Sequence, residues 1–414
     1  MSKGPGSVCF TNLHTSVDPL DILLVLRSCA EHYPPTVNQA NLLAEAGLRV
    51  GVIDLSVPGA AEALSPAIRR RRVHRMWNSK LEHPYPPWKR WAHWLRFRHA
   101  CRQVIAGGRP SVVIAYDTLG SLFVPPAPAR HRTVYHFHEL SGPEDGEGFG
   151  PRRARERASQ SSRNADLVVF SDAHRARIFQ KRAGLRETPR VVMNCPRRMT
   201  RPPASPLRKK LAQSGHAGGP LVCYMGSIGD DQGLPEAARS MRYWPPDSKF
   251  VLIGAASESA QKAILAAASA GAADRVLFLG LHSHPEALAL AAGADAGLAL
   301  IQPNNESWLY SAGAINKRFE YMALGLPQVT NTGPGVAEIV EANQCGLCVD
   351  SKDPEAIGAA VGRLLQSAEL RDRMGRSARD RHLSVYNYEM QFAGVADWIR
   401  REARPGASEK EFRS

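Results

Sequence analysis

Lys317 and Glu320 stand three residues apart in the segment 316–327, NKRFEYMALGLP, and their types suit a single ligand. An ammonium neutralises a phosphate, and a carboxylate accepts hydrogen bonds from the paired hydroxyls of a ribose. On a helix the two fall on one stripe, while Phe319, Met322 and Ala323 share an adjacent face. The same spacing also makes an ordinary i,i+3 surface ion pair. Gly325 ends this helix, and Leu326-Pro327 begins the next strand. Gly333-Pro334-Gly335 then opens a short helix whose N-terminus is another potential anion site.

Two glycine-bearing loops have related potential. In Tyr224-Met225-Gly226-Ser227-Ile228-Gly229 a strand ends in glycine, which lets backbone N–H groups approach a phosphate. Many α/β strands end this way. Gly280-Leu281-His282-Ser283-His284 could hold a base edge, or its two histidines could be solvated loop residues. In the first half, Tyr135–Leu140 reads YHFHEL at a strand end. Period two puts His136, His138 and Leu140 on one face and Phe137 and Glu139 on the other. Glu139 or Asp117 could deprotonate a hydroxyl. His138 is a candidate for chemistry or a histidine bonded to a neighbouring carbonyl.

Residues 69–98 form a basic aromatic stretch. Trp88, Trp91, Trp94 and Phe97 recur at helical spacing, flanked by Lys89, Arg90, Arg96 and Arg98. Ordinary aromatic packing between helices is one reading. Contact with an anionic membrane surface or acceptor through Trp88, Trp91, Trp94, Arg96 and Arg98 is a second. Stacking on single-stranded nucleic acid is a third, but no nucleic-acid-binding signature accompanies it and no nucleic acid is expected.

These residues need elements to position them. Short apolar runs alternate with helical segments at 22–26, 49–55, 111–115, 133–137, 167–170 and 190–193. The alternation restarts at 221–225, 250–253, 276–279, 296–300, 328–330 and 347–349. That pattern predicts two mainly parallel, doubly wound α/β sheets. The Pro-, Gly- and Arg-rich stretch 195–220 separates them as a linker. Ligands of such sheets bind beyond the carboxyl ends of the strands, so two facing domains create a central cleft.

Composition sets the outer limits. The chain has 414 residues, 43% hydrophobic and 22% charged, as in a globular protein. No apolar run reaches membrane-spanning length and the start carries no leader pattern, so a cytoplasmic location is expected. Seven cysteines without framework spacing suit reduced thiols. Cys345 and Cys348 lack the second pair a zinc ribbon needs. The net charge of +14 is unevenly placed: residues 1–200 carry 30 Lys+Arg against 16 Asp+Glu, and residues 201–414 carry 23 of each. An anionic partner for the first half follows, or an Arg-rich surface that aids solubility.

The run NKRFEYMALGLPQVTNTGPGVAEIVEANQCGLCV resembles the donor-binding region of glycosyltransferase family 4 (group 1) within the GT-B superfamily. YMGSIGDDQGLPEAARSM, FVLIGAA, VYHFHEL and ADLVVFSDAHRARIF fit in order. The resemblance implies the GT-B fold: an acceptor-binding Rossmann-like domain over 1–200, a linker over 201–219 and a nucleotide-sugar donor domain over 220–385. A C-terminal helix, about 386–403, is expected to cross back onto the first domain. It further implies transfer of a sugar from a nucleotide-diphosphate sugar, a UDP-sugar first, to an anionic, lipid-linked or glycan acceptor. Polysaccharide biosynthesis is a setting for such transfer, expected without metal or other cofactor and with retention more than inversion.

Glu320 aligns with the second glutamate of the family's Glu-x7-Glu motif, the ribose ligand. Ala312 stands where the first, donor-sugar glutamate falls. Ser227 and Gln232 occupy the phosphate-clamping Arg and Lys positions, and Lys317 could take over part of that duty. The expected donor set is Gly226, Ser227, Gln232, His282, Lys317, Glu320, Gly333 and Gly335. The expected catalytic set is His138, Glu139 and Asp117. Two other readings remain: a catalytically impaired GT-B partner subunit that binds nucleotide sugar or glycan, and a sugar-nucleotide epimerase.

Overall fold

The computed structural model describes residues 19–56, 63–74, 87–142, 149–268 and 271–403. The chain start, residues 75–86 of the aromatic stretch and the tail from Arg404 lie outside the described residues.

The continuous apolar runs form strands buried on both faces, as expected when helices cover a parallel sheet twice. The first sheet contains β1 (Ile22–Val25), β2 (Val50–Ser56), β3 (Arg69–His74), β4 (Val112–Tyr116), β5 (Arg132–Phe137), β6 (Leu167–Phe170) and β7 (Arg190–Val191). Its order is β3-β2-β1-β4-β5-β6-β7, with every pair parallel. The second contains β8 (Leu221–Met225), β9 (Lys249–Ile253), β10 (Val276–Gly280), β11 (Ala296–Ala299), β12 (Gln328–Asn331) and β13 (Gly346–Val349). Its order is β10-β9-β8-β11-β12-β13, also parallel throughout. Both sheets therefore reverse direction of winding beside their first strand, between β1 and β4 and between β8 and β11. That reversal leaves a crevice at the carboxyl ends, where ligands bind.

Alternate residues of each strand feed opposite cores. Ile22 and Leu24 join Tyr388, Phe392, Val395 and Ile399 of the C-terminal helix Tyr388–Ala403. Leu23 and Val25 join Phe97, Ala100 and Cys101 of the helix Pro87–Gly108. The last helix of the chain thus seals the first sheet. In the second domain, Tyr321 and Leu324 of the helix Asn316–Leu324 pack with Cys223, Met225 and Ile253 below the sheet.

Two elements depart from the sequence reading. Arg69–His74 is a strand at the sheet edge, although four consecutive arginines read as part of a basic surface stretch. Arg70 is tied to Glu31 and Asp54, so its guanidinium is neutralised at the edge. The proposed linker contains a helix, Leu207–Gln213. Leu207 and Leu211, one helical turn apart, bury against Leu288, Leu290 and Ala291, so this segment belongs to the second domain's core.

Candidate functional site

One side of the candidate site is built where β8 ends. Gly226 has φ +132, a conformation L side chains rarely adopt, and any Cβ there would lie 3.3 Å from Lys317 Cε. A Cβ on Gly254, at the end of β9, would meet the Gly226 carbonyl oxygen at 1.8 Å. Two glycines thus keep the strand ends open to close approach. Lys317 reaches up from its helix and donates to Tyr224 Oη at 2.9 Å and to Gln232 Oε1 at 2.7 Å. Its ammonium also lies 4.2 Å from the centre of the Tyr224 ring. Burial disfavours the charged form and lowers the Lys317 pKa to about 7, against the opposing pull of Glu320. An ammonium held this way gains most from a phosphate, which supplies the missing negative charge.

One turn along the same helix, Glu320 is buried and hydrogen-bonded to His284 Nε2 at 2.7 Å. Burial works against a charged His284, yet the hydrogen bond and charge of Glu320 raise its pKa above the ordinary imidazole value. Lys317 and Glu320 therefore make no surface ion pair; each is held by a different partner. Ser283 caps the helix His284–Ala291 in a capping box with Glu286, and this register turns His284 to Glu320. His282 instead bonds to the Leu279 carbonyl, 3.1 Å away. Ser227 is exposed, and its carbonyl accepts from Tyr224 Oη. Gln232 is buried and serves as an acceptor for Lys317.

The first domain supplies the facing group. Asp117, directly after β4, has φ +56, which costs a non-glycine residue about 1 kcal/mol. That turn lets the Asp117 carboxylate accept from the His138 backbone N–H at 2.7 Å and reach its Nδ1 at 3.2 Å. The His138 ring stacks on Tyr116 and on His136, with centroids 5.2 and 5.0 Å apart. His136 is buried and its pKa is pushed far down by burial, then by His138, so it is a neutral support. Gln39 fixes it, donating to His136 Nδ1 at 2.7 Å and to Tyr388 Oη at 2.8 Å. The period-two reading of YHFHEL holds through His138: His136 and His138 point together, and Glu139 is exposed on the other side.

A cavity of about 450 Å³ opens at the β1–β4 reversal, lined by Arg27, Tyr33, Asp117, Glu139 and Arg155 among others. It adjoins a second of about 430 Å³ that shares Thr118, Ser141 and Arg155 and adds Arg152, Arg163 and Arg182. The groove beside His138 is therefore predominantly cationic.

The two domains meet between these sites. Arg175 donates to the carbonyls of His138, Ser307 and Tyr310, joining the β5 end to the second domain. Asp172 caps its own helix and accepts from Gly313 N–H at 2.9 Å, while Asn194 binds Gly313 and Ala314. Ala312 sits in this seam, 2% exposed, among Cys195, Phe319, Met322 and Val336. A Cβ on Gly335, with φ +82, would lie 3.2 Å from both Ala312 Cβ and His174 Cε1, so Gly335 also borders the seam. Gly333 lies close to Asn331 and Val336, and the helix it precedes spans only Val336–Val340.

Sequence reasoning missed Arg318 and Arg175, and it put His282 rather than His284 in the donor set. Arg318 is fully buried and donates to the Ser311 and Ala312 carbonyls, fixing the loop where the first glutamate of the resembled motif is replaced by Ala312. A basic residue next to Lys317 gave no sign of which one turns inward. The aromatic stretch divides: Trp88 and Trp91 are 66% and 62% exposed, Trp94 packs on Phe123, and Phe97 is buried. Arg98 lies over the Trp94 ring and Arg96 is exposed. Cys345 is buried and Cys348 half-buried, both as free thiols. Among the described residues Cys29, Glu31 and Asp54 alone bring three metal-type ligand atoms together, and Arg70 already pairs with both acids.

Residues 208–381 match the family described as glycosyl transferases group 1. Among curated proteins none matches the chain by sequence. Among solved structures, sucrose-phosphate synthase from Thermosynechococcus elongatus superposes with a TM-score of 0.68 at 17% identity, covering 93% of this chain and 98% of that one. Anabaena HepE in complex with UDP gives 0.69 at 16% identity, covering 92% and 100%. WaaG, a glycosyltransferase involved in lipopolysaccharide biosynthesis, gives 0.66 at 16% identity, covering 91% and 99%. The chain thus has the GT-B fold, two Rossmann-like domains across a cleft, and residues 208–381, most of its second domain, are similar to the group 1 glycosyl transferases.

Proposed function

We propose that this protein transfers a sugar from a nucleoside-diphosphate sugar to an anionic acceptor, without a metal and with retention of configuration. The observation that carries the reading is the pairing of Lys317 at Gly226 with Glu320 one turn away, both at the carboxyl edge of the second sheet. Lys317 neutralises the diphosphate, and Glu320 accepts from the ribose hydroxyls on leaving His284. Gly226 lets the backbone come close enough for N–H contacts. HepE, of the same fold, is a complex with UDP in one structure and with UDP-glucose in another, which supports uridine as the base.

The acceptor lies in the groove beside His138, where Arg27, Arg152 and Arg155 suit a phosphorylated glycan or lipid-linked sugar. Both Asp117 oxygens serve His138, which favours a mechanism in which His138 is positioned at the donor sugar and the leaving diphosphate assists. The anomeric configuration of the first-formed product, read by NMR, tests retention; an inverted product would make Glu139 the base. Buried Ala312 supports a second reading, a nucleotide-sugar-binding partner without turnover.

The decisive experiment is a thermal-shift screen with UDP, GDP, ADP, TDP and their sugars, followed by assays for nucleotide release and epimer formation. Ligand at about 100 times Kd stabilises the fold by about 2.7 kcal/mol. No response to any nucleotide would remove the central claim. A response without release, across phosphorylated and neutral acceptors, would favour the partner subunit. Epimer formation would make the protein an epimerase.

A further inference from the structure

A second basic cavity lies at the opposite edge of the first sheet, away from the cleft. At about 770 Å³ it is larger than either groove cavity. Its wall is the C-terminal half of the helix Pro87–Gly108 and the segments leading into β4 and β5. Four arginines line it: Arg98, Arg102, Arg109 and Arg130. None of the four is paired with a carboxylate among the described residues; Arg98 instead lies over the Trp94 ring. The rest of the lining is chiefly apolar, with Ile105, Leu122, Phe123 and Val124.

One observation points to a ligand for the cavity. His131 lines it, is 7% exposed, and neither of its ring nitrogens has a hydrogen-bond partner. A buried imidazole without a partner costs free energy unless something in the cavity completes it. Arg109, which also lines the cavity, follows the helix directly with φ +42 and its N–H bonded back to the Ile105 carbonyl, the left-handed turn in which helices commonly end.

Helical spacing says what kind of ligand. Trp91, Leu95, Arg98, Arg102 and Ile105 alternate by four and three residues, a single stripe along the helix, and Arg109 lies just past its end. The stripe begins with exposed Trp91 and Leu95 and ends in the arginine-lined cavity. Apolar groups at one end and cations at the other suit a phosphate joined to a hydrocarbon.

We propose that this cavity binds the phosphate headgroup of an anionic membrane lipid, with Trp91 and Leu95 against its glycerol and acyl region. The site is distinct from donor and acceptor sites and independent of the transfer reaction, since it sits at the amino ends of β4 and β5. It would hold the first domain against a bilayer while its cleft stays open.

The full chain is mixed with vesicles of phosphatidylcholine alone or with an equal part of phosphatidylglycerol, and bound protein is measured by flotation. The wild-type protein should float only with phosphatidylglycerol. Each arginine near such a surface contributes about a fivefold gain in affinity, so the double variant Arg102→Gln, Arg109→Gln should bind about thirtyfold more weakly. Its nucleotide-induced Tm shift should match the wild type, which shows that the fold is intact. Dihexanoyl phosphatidylglycerol should compete for the site, and inorganic phosphate at equal concentration should not. Equal flotation of wild type and double variant, or no flotation of either, overturns the proposal. Competition by phosphate as strong as by the short-chain lipid makes the ligand a free phosphate and overturns it too. Displacement by a single-stranded oligonucleotide instead of lipid would make the patch a nucleic-acid site.

Discussion

Binding of a nucleoside-diphosphate sugar should take up a proton at Lys317. The free protein holds this ammonium beside Tyr224 and Gln232, neither of which carries a charge, and burial brings its pKa to about 7. A diphosphate at Gly226 restores the negative field and returns the pKa towards its ordinary value. The cationic form is the one that binds. It makes up about 90% of the free protein at pH 6 and about 10% at pH 8, so affinity should fall about tenfold over that interval. UDP-glucose is the ligand of choice, because its diphosphate has no proton to lose in this range.

The sign follows from linkage. Between pH 7 and the ordinary lysine value the folded apo protein binds fewer protons than the unfolded chain, and the ligand reverses the difference. Calorimetry at pH 8 in buffers of different ionisation enthalpy should show uptake of about one proton per ligand. Lys317→Met should bind about ten to a hundred times more weakly, as expected for the loss of a charge-assisted hydrogen bond. It should also lose the proton uptake. The hydrogen bond and charge of Glu320 raise the His284 pKa against the effect of burial, so whatever slope survives in Lys317→Met belongs to the His284–Glu320 pair. Affinity that is flat from pH 6 to pH 8, with no proton uptake in the wild-type protein, would refute the role given to Lys317.

Two further outcomes concern the seam. Ala312→Glu, which recreates the family's motif acid, should lower Tm by several degrees and fail to raise turnover. The position is buried among apolar groups, and an unpaired carboxylate there costs about 3 kcal/mol or more; a stable variant with faster transfer would contradict this. Arg175→Ala removes the link between the His138, Ser307 and Tyr310 carbonyls. Hydrogen exchange at 306–314 should rise while UDP affinity changes less than about threefold, because no Arg175 contact touches the Lys317–Glu320 helix.

Much of the fold was legible because buried parallel strands are continuous apolar runs. ILLV, VVIAY and LVCYM each announce a strand without help from their neighbours. β3 was not legible, since RRRRVH has the composition of a solvated surface. Its strand character comes from pairing with β2 and from Glu31 and Asp54, which lie distant in sequence. The helix Leu207–Gln213 was hidden for a related reason: its two apolar residues gain their meaning only from the second domain's core. At the site, Lys317 and Glu320 could be read from type and spacing. Their partners could not. Whether His282 or His284 meets Glu320 depends on where Ser283 caps the helix, a shift of two residues that reverses the outcome.

The missing acid at position 312 and the displaced cation at position 317 are best understood together. With Gln232 neutral where the resemblance expects a cation, the ammonium beside Gly226 comes from the helix, and Gln232 is its hydrogen-bond acceptor. The helix must then be held at a fixed height under Gly226, because a Cβ-sized movement there would close the gap to Lys317. Arg318, the next residue, supplies that constraint by gripping the carbonyls of Ser311 and Ala312 and the end of β12. The 311–314 loop is in turn bound to Asp172 and Asn194 of the first domain. A glutamate side chain at 312 would have to enter this closed seam. Small, apolar Ala312 is consistent with a loop that serves as the joint between the domains, and under the proposed function donor-sugar recognition would fall to groups such as His138 across the cleft.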